Sequence, residues 1–225
     1  MSNVEIYKLP YPACNCYLIK QDGLILIDAG PPNQVDRFLE LLGEQAIEPQ
    51  EISLMLMTHG HWDHIGSASD IKSLTGCEVA INYREKDWVE KALKPAPRGV
   101  GLWGSIGALM AKSMIARVTF PGVDVDLAVG DEDYNLEQWG VSGKVLYTPG
   151  HTSGSMSVLL DDGQAFIGDL AMSGFPMRIG PGMPPFAEDT NAIKESWKKL
   201  LDNGARYIYP AHGNPFSADV LAKAL

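Results

Sequence analysis

Apolar positions along the chain recur at two periods, and the switches between them mark out its elements. Apolar or alternating runs at 4–9, 14–20 and 23–28 predict three opening strands, the last two joined by a turn at Gln21-Asp22-Gly23. Pro31-Pro32 then opens a helix: Val35, Phe38, Leu39 and Leu42 share one helical face, and Gly43 ends it. The unbroken apolar run 52–57 predicts a buried strand, followed by a polar loop over 58–66. Residues 67–74 predict a helix and 78–81 a strand, after which Asn82 caps a further helix to about residue 92.

Residues 93–117 interrupt this order. Pro95, Pro97 and several glycines break the segment, yet Leu102, Trp103, Ile106, Leu109, Met110, Met114 and Ile115 make it strongly apolar, and 105–117 predicts a helix. The acidic residues at 124, 126 and 131–133 predict a solvated hairpin across 118–136, turning at Gly130-Asp131. Strands follow at 144–148, 155–160 and 165–167. A capped amphipathic helix over 190–201, a strand over 205–209 and a helix from Ser217 complete the chain. Two strand-rich halves that each carry helices predict an α/β (α+β) protein. Its two sheets would pack face to face with helices outside, in a single domain over residues 1–225.

Composition narrows the function classes. The 225 residues are 45% hydrophobic and 20% charged, an ordinary globular profile rather than a disordered one. The net charge of −10 argues against nucleic acid or an anionic membrane as partner, although it does not forbid a local basic spot. No apolar stretch approaches the ~20 residues that span a bilayer. The opening residues carry neither a basic n-region nor an apolar h-region, which predicts no signal peptide and a cytoplasmic location. Three cysteines form no disulfide framework: Cys14 and Cys16 read as small buried residues on one strand face, and Cys77 as packing.

The histidines carry the chemistry. Of five, His59, His61 and His64 share one loop, while His151 and His212 each lie in a glycine-flanked loop just past a predicted strand. Unspecialised histidines should scatter, and these do not. Imidazole nitrogen suits zinc, iron and nickel, and carboxylates compensate charge. The alternating spacing turns His59 and His61 towards one ion and Asp63 and His64 towards a neighbour, with Gly60 easing the bend. Asp169, in Ile167-Gly168-Asp169, joins His151 and His212 as a third remote ligand position. With Asp169 shared, the seven residues make up two four-ligand sites, and the expected cofactor is a pair of divalent ions, zinc first, with iron or manganese suited to the same ligands.

In this arrangement the chain resembles the metallo-β-lactamase superfamily. The resemblance rests on His59-x-His61-x-Asp63-His64, His151, Asp169 and His212 in that order, with Leu26-Ile27-Asp28-Ala29-Gly30 and Asn15-Cys16-Tyr17-Leu18-Ile19 upstream. It implies a four-layer αββα sandwich with metals at one edge between the sheets. It also implies that His59, His61 and His151 hold the first ion, that Asp63, His64 and His212 hold the second, and that Asp169 bridges them. Asp28 would buttress the cluster loop through hydrogen bonds.

The superfamily hosts many chemistries, so the fold alone does not name the substrate. True class B β-lactamases generally lack the bridging aspartate that Asp169 supplies here. Flavodiiron oxygen reductases place a glutamate where this chain has His61, and common acyl-homoserine lactonases place a tyrosine near Leu170, Ala171 and Met172. Glyoxalase II-type hydrolases and persulfide dioxygenases keep the whole set and add a basic residue after the bridging aspartate. Arg178 stands in that place, as a substrate-binding candidate. The first expectation is therefore a dinuclear hydrolase of a small-molecule thioester, lactone or other carboxylic ester, resembling hydroxyacylglutathione hydrolases. A metal-bridging hydroxide would be the nucleophile, with Asp63 helping to orient it. The rival is a mononuclear iron oxygenase of the persulfide dioxygenase type, using His59, His151 and Asp169. Phe175, Pro176, Met177, Met183, Pro184, Pro185 and Phe186, together with the apolar 93–117 insertion, would form a greasy pocket, a lid or a homodimer contact.

Overall fold

The computed structural model describes residues 3–12, 14–174 and 178–225. Strands β1 (Glu5–Pro10), β2 (Asn15–Lys20), β3 (Leu24–Ile27), β4 (Leu54–Leu56), β5 (Glu78–Asn82) and β6 (Leu127–Val129) lie side by side in that order in the first sheet. The pairings β1–β2 and β2–β3 are antiparallel; from β3 to β6 the neighbours run parallel. The second sheet has the order β12 (Phe216–Ser217), β11 (Tyr207–Tyr209), β10 (Gln164–Phe166), β9 (Met156–Leu160), β8 (Gly143–Tyr147) and β7 (Tyr134–Asn135). It is antiparallel except where β10 meets β11.

Strand alternation sorts the apolar residues into three layers of core. Tyr17, Ile19, Ile25, Ile27, Leu54 and Leu56 face Val145, Met156, Val158, Leu160 and Phe166 between the sheets. The alternate residues Cys16, Leu18, Leu24, Leu26, Met55, Val79 and Ile81 point outwards. There they meet Phe38, Leu41 and Leu42 of α1 (Val35–Glu44) and Ala68 and Ile71 of α3 (Ala68–Thr75). On the far side, Leu146, Leu159, Ala165, Ile167 and Ile208 pack on Ile193, Trp197 and Leu200 of α6 (Thr190–Asp202) and Leu221 of α7 (Asp219–Ala222). The layers are therefore α, β, β, α, as expected. The physical cause is that strands of both sheets carry apolar residues on both faces, and each face must be covered. Asp189 caps α6, accepting from the backbone N–H groups of Asn191 and Ala192 at 2.8 and 3.1 Å.

Several sequence expectations need correction. Residues 118–136 do not form a hairpin: β6 is the edge of the first sheet and β7 the edge of the second. Buried Val129 and Leu136 draw the chain across the sandwich, and the acidic turn between them is what the charge pattern registers. The apolar helix α5 runs Gly101–Ile115, starting four residues earlier than the 105–117 expected. Gly104 and Gly107 do not break it, because they face inward where space is short. A Cβ on Gly104 would lie 2.2 Å from the Pro185 carbonyl oxygen. Asn82 caps not a continuous helix but a 3₁₀ turn, Tyr83–Glu85, followed by the short α4 (Lys86–Glu90). The cluster loop contains one helical turn, α2 (Trp62–Ile65). Ser217 ends β12, and the last helix starts at Asp219.

Candidate metal centre

Each candidate ligand loop leaves the C-terminal end of a strand. The loop after β4 carries His59, His61, Asp63 and His64; those after β8, β10 and β11 carry His151, Asp169 and His212. Strand ends from both sheets thus deliver side chains to one edge of the sandwich. The ligand atoms of His59, His61, His151 and Asp169 lie within 4.8 Å of one another, and so do those of Asp63, His64 and His212.

Asp169 stands between the two groups and turns one oxygen to each. Its Oδ2 is 3.4 Å from His151 Nε2 and 4.0 Å from His59 Nε2. Its Oδ1 is 3.2 Å from His212 Nε2 and 3.4 Å from His64 Nε2. Asp63 Oδ2 lies 3.5 Å from His212 Nε2. In the first group, His61 Nδ1 is 3.0 Å from both His59 Nε2 and His151 Nε2.

The outward nitrogens are fixed by a surrounding set of acceptors. His64 Nδ1 lies 2.8 Å from Asp28 Oδ2, His59 Nδ1 lies 3.1 Å from Thr58 Oγ1, and His151 Nδ1 lies 2.9 Å from the Phe186 carbonyl oxygen. In all three rings Nε2 is thereby left to face the centre, the arrangement in which one ring nitrogen is anchored and the other is free to ligate. Asp28 also accepts from the Thr58 N–H at 2.7 Å and from its hydroxyl at 2.9 Å. It does so from a left-handed backbone, φ 61°, a costly conformation that persists because these bonds fix it.

A test of whether the residues suit metal ions comes from unsatisfied atoms. His64 Nε2 and Asp169 Oδ1 are buried and have no hydrogen-bond partner. Buried polar atoms without a partner are rare and costly, and both of these point into the same small volume. Burial, reinforced by the neighbouring imidazoles, drives His59 down, and burial with His151 brings His61 to about 3, so both rings are held neutral as ligation requires. Burial also lowers His151. For His64 and His212 burial acts in the same direction but is outweighed, by Asp28 and Asp169 for His64 and by Asp169 and Asp63 for His212, so both are raised. Asp169 is held low against burial by His212, His64 and His151. The donor set, the neutral first group and the orphaned atoms all fit divalent cations.

Glu85 carries no local mark of its role. It sits in the run Tyr83-Arg84-Glu85-Lys86-Asp87, which reads as an exposed face, yet Glu85 is 0% exposed. Its Oε2 accepts from the Gly60 N–H at 2.5 Å and its Oε1 from the Gly154 N–H at 2.8 Å. One carboxylate therefore ties the His59/His61 loop to the His151 loop. Burial raises its pKa, opposed by the hydrogen bonds from Thr152, Gly60 and Gly154.

A cleft opens over the centre. His61, Asp63, His151, Asp169 and His212 form its floor, and Trp62, Pro97, Ala111, Met114, Ile115, Met172 and Phe186 its walls. The 93–117 insertion therefore contributes to the cleft wall. Its start is stitched to the loop before α6 by Val100 N–H to Pro185 O and Ala187 N–H to Arg98 O, both 2.8 Å. Arg178 is not among the lining residues; its guanidinium donates to the Met183 carbonyl at 3.1 Å and lies against Gly182. Phe175, Pro176 and Met177 lie outside the described residues. Cys14, Cys16 and Cys77 are buried and form no disulfide, and the Cys14 thiol donates to the Asp63 carbonyl at 2.9 Å, beneath the cluster loop.

The sequence matches the metallo-β-lactamase superfamily over residues 10–212. The chain belongs to that superfamily. A probable metallo-hydrolase of Bacillus subtilis, YflN, is 26% identical, the alignment spanning 94% of this chain and 85% of the relative. The hydroxyacylglutathione hydrolase GloC of Haemophilus influenzae is 25% identical over 94% of this chain and 91% of its own. Among solved structures, the B3 metallo-β-lactamase BLEG-1 superposes with a TM-score of 0.71 over 96% of this chain and 95% of that one. At 19% identity this likeness speaks for the fold alone.

Proposed function

We propose that this superfamily member is a dinuclear metal-dependent hydrolase of an ester-type bond: a thioester, lactone or other carboxylic ester. The observation that carries the reading is Asp169, whose two oxygens face two separate ligand groups. His59, His61 and His151 would hold one ion, Asp63, His64 and His212 the other, and Asp169 both. Zinc is the first choice for nitrogen and oxygen donors, with iron and manganese suited to the same set. Such ions supply Lewis acidity towards a carbonyl oxygen and bring the pKa of bound water towards neutrality.

The chain's own residues do the rest. Asp63 lies on the cleft floor, with 14% of its side chain accessible, where it can accept a proton and align an attacking water. The described lining residues include no serine, cysteine or lysine, so water is the nucleophile the cleft provides for. Met114, Ile115, Met172 and Phe186 offer apolar surface to the acyl part of a substrate and keep bulk water from the centre. The relatives named as hydrolases support the reaction type, and GloC makes a hydroxyacylglutathione thioester the first substrate to try. The intact group of Asp63, His64 and His212 favours two ions over the single iron of an oxygenase.

The test is a metal count followed by a substrate screen. Protein stripped with chelator and reloaded separately with zinc, iron and manganese is expected to take up about two ions per chain and regain hydrolysis of at least one thioester, lactone or ester. One iron per chain, with oxygen uptake on a persulfide and no ester hydrolysis, would overturn the proposal.

A further inference from the structure

Helix α5 is apolar on nearly every side, and its burial runs in the wrong sense for a protein surrounded only by water. Its inward side sets glycines against the loop before α6, Gly104 buried against the Pro185 carbonyl and Gly107 facing the Phe186 ring, and Ile115 is its one large buried residue. Its outward side carries the large apolar ones. Leu102 is 76% exposed, Trp103 85%, Leu109 74% and Met110 73%. An ordinary surface helix turns such residues inward, and a contiguous apolar patch of this kind marks a contact surface.

Charge indicates what the contact is. The chain as a whole carries −10, yet residues 91–117 contain Lys91, Lys94, Arg98, Lys112 and Arg117 and no carboxylate. Lys91 is paired with Asp87. Arg98, Lys112 and Arg117 are exposed and make no ion pair among the described residues. A second copy meeting this face about a two-fold axis would present the same patch, with the same cations and no carboxylate from residues 91–117 to pair with them. An anionic lipid surface has the opposite sign and an apolar interior, and tryptophan with basic residues beside an apolar face is the make-up of helices that lie in that interface.

We propose that α5 docks this protein on the surface of an anionic bilayer, lying in the interface with Leu102, Trp103, Leu109 and Met110 inserted and Arg98, Lys112 and Arg117 at the headgroups. No helix among the described residues is long and apolar enough to cross the membrane, so the contact is peripheral. The acidic average that argues against anionic membranes does not describe this face. Ala111, Met114 and Ile115 of the same helix wall the cleft, so docking brings the cleft to the lipid.

The experiment is co-sedimentation of the full chain with phosphatidylcholine vesicles prepared with and without phosphatidylglycerol. The native protein is expected to pellet with the anionic vesicles only, and to be released by salt. Each Lys or Arg near such a surface contributes roughly fivefold in partition, so Lys112→Glu, a change of two charges, is expected to weaken binding about 25-fold. The double substitution Trp103→Ser with Leu109→Ser is expected to abolish it, while melting temperature and metal content stay at native values. No pelleting of the native chain overturns the proposal, as does pelleting that is indifferent to phosphatidylglycerol or to these substitutions. A native dimer that the double substitution dissociates, without lipid binding, overturns it in favour of a second copy.

Discussion

The floor of the cleft and the helix that walls it are built on opposite principles. The centre on its floor is buried and cross-linked: Asp28, Thr58, Glu85 and the Phe186 carbonyl fix the loops and rings from behind. The helix on its other side, α5, is tethered at its start by backbone bonds to the loop before α6 and presents large apolar side chains to the outside. The difference is one of task. Side chains that must meet at a point within a fraction of an ångström need their rotamers locked by a second layer of partners. A wall that must admit or contact apolar matter needs surface and tolerance rather than fixed polar geometry.

The contrast can be broken most forcefully at the floor. His151→Ala removes a member of the first group that also faces Asp169; metal content measured by elemental analysis is expected to fall, and hydrolysis to drop at least about a hundredfold, since Lewis-acid stabilisation is worth several kcal/mol. Activity surviving with full metal content would show that the ligand grouping is wrong. Asp28→Ala comes next. It frees Thr58 and His64 Nδ1, and competition with a chromophoric chelator should show metal affinity reduced about 10–100-fold.

Glu85→Gln distinguishes a tie between loops from a merely buried residue. The amide offers one acceptor where two N–H groups require it, so one of Gly60 or Gly154 loses its partner at a cost of about 1–3 kcal/mol. The melting temperature of the metal-free protein should fall by about 5 °C, and zinc affinity should fall with it. Unchanged affinity would mean that the tie does not position the ligands. At the small end, Leu109→Ser on the outer face of α5 is expected to alter stability by no more than about 0.5 kcal/mol in denaturant titration, because the side chain is already exposed. A larger loss would mean that α5 is packed against something in solution.

How legible each region was in the sequence follows the same division. His59, His61, Asp63, His64, His151, Asp169 and His212 stood out because ligand chemistry restricts residue type and because each follows a strand. Asp28 was legible only through the resemblance, as the aspartate of Leu26-Ile27-Asp28-Ala29-Gly30. Glu85 was not, because the pattern that makes a carboxylate look solvated is local, while the two N–H groups that bury it come from loops 25 and 69 residues away. The 118–136 segment failed for a related reason. Its charges marked a turn correctly, but whether the flanking strands pair with each other or with different sheets depends on partners elsewhere in the chain.

The layers were already present in the order of residues, since strands apolar on both faces demand cover on each side. It also determined which residues carry the chemistry, because few side chains can do it. Tertiary structure alone decided the distances at which those residues meet, which carboxylate would be buried to hold their loops, and which large residues of α5 would face outward. Those are matters of distance between strand ends on different sheets and of the room left beside Pro185 and Phe186, and neither is encoded in any local run of residues.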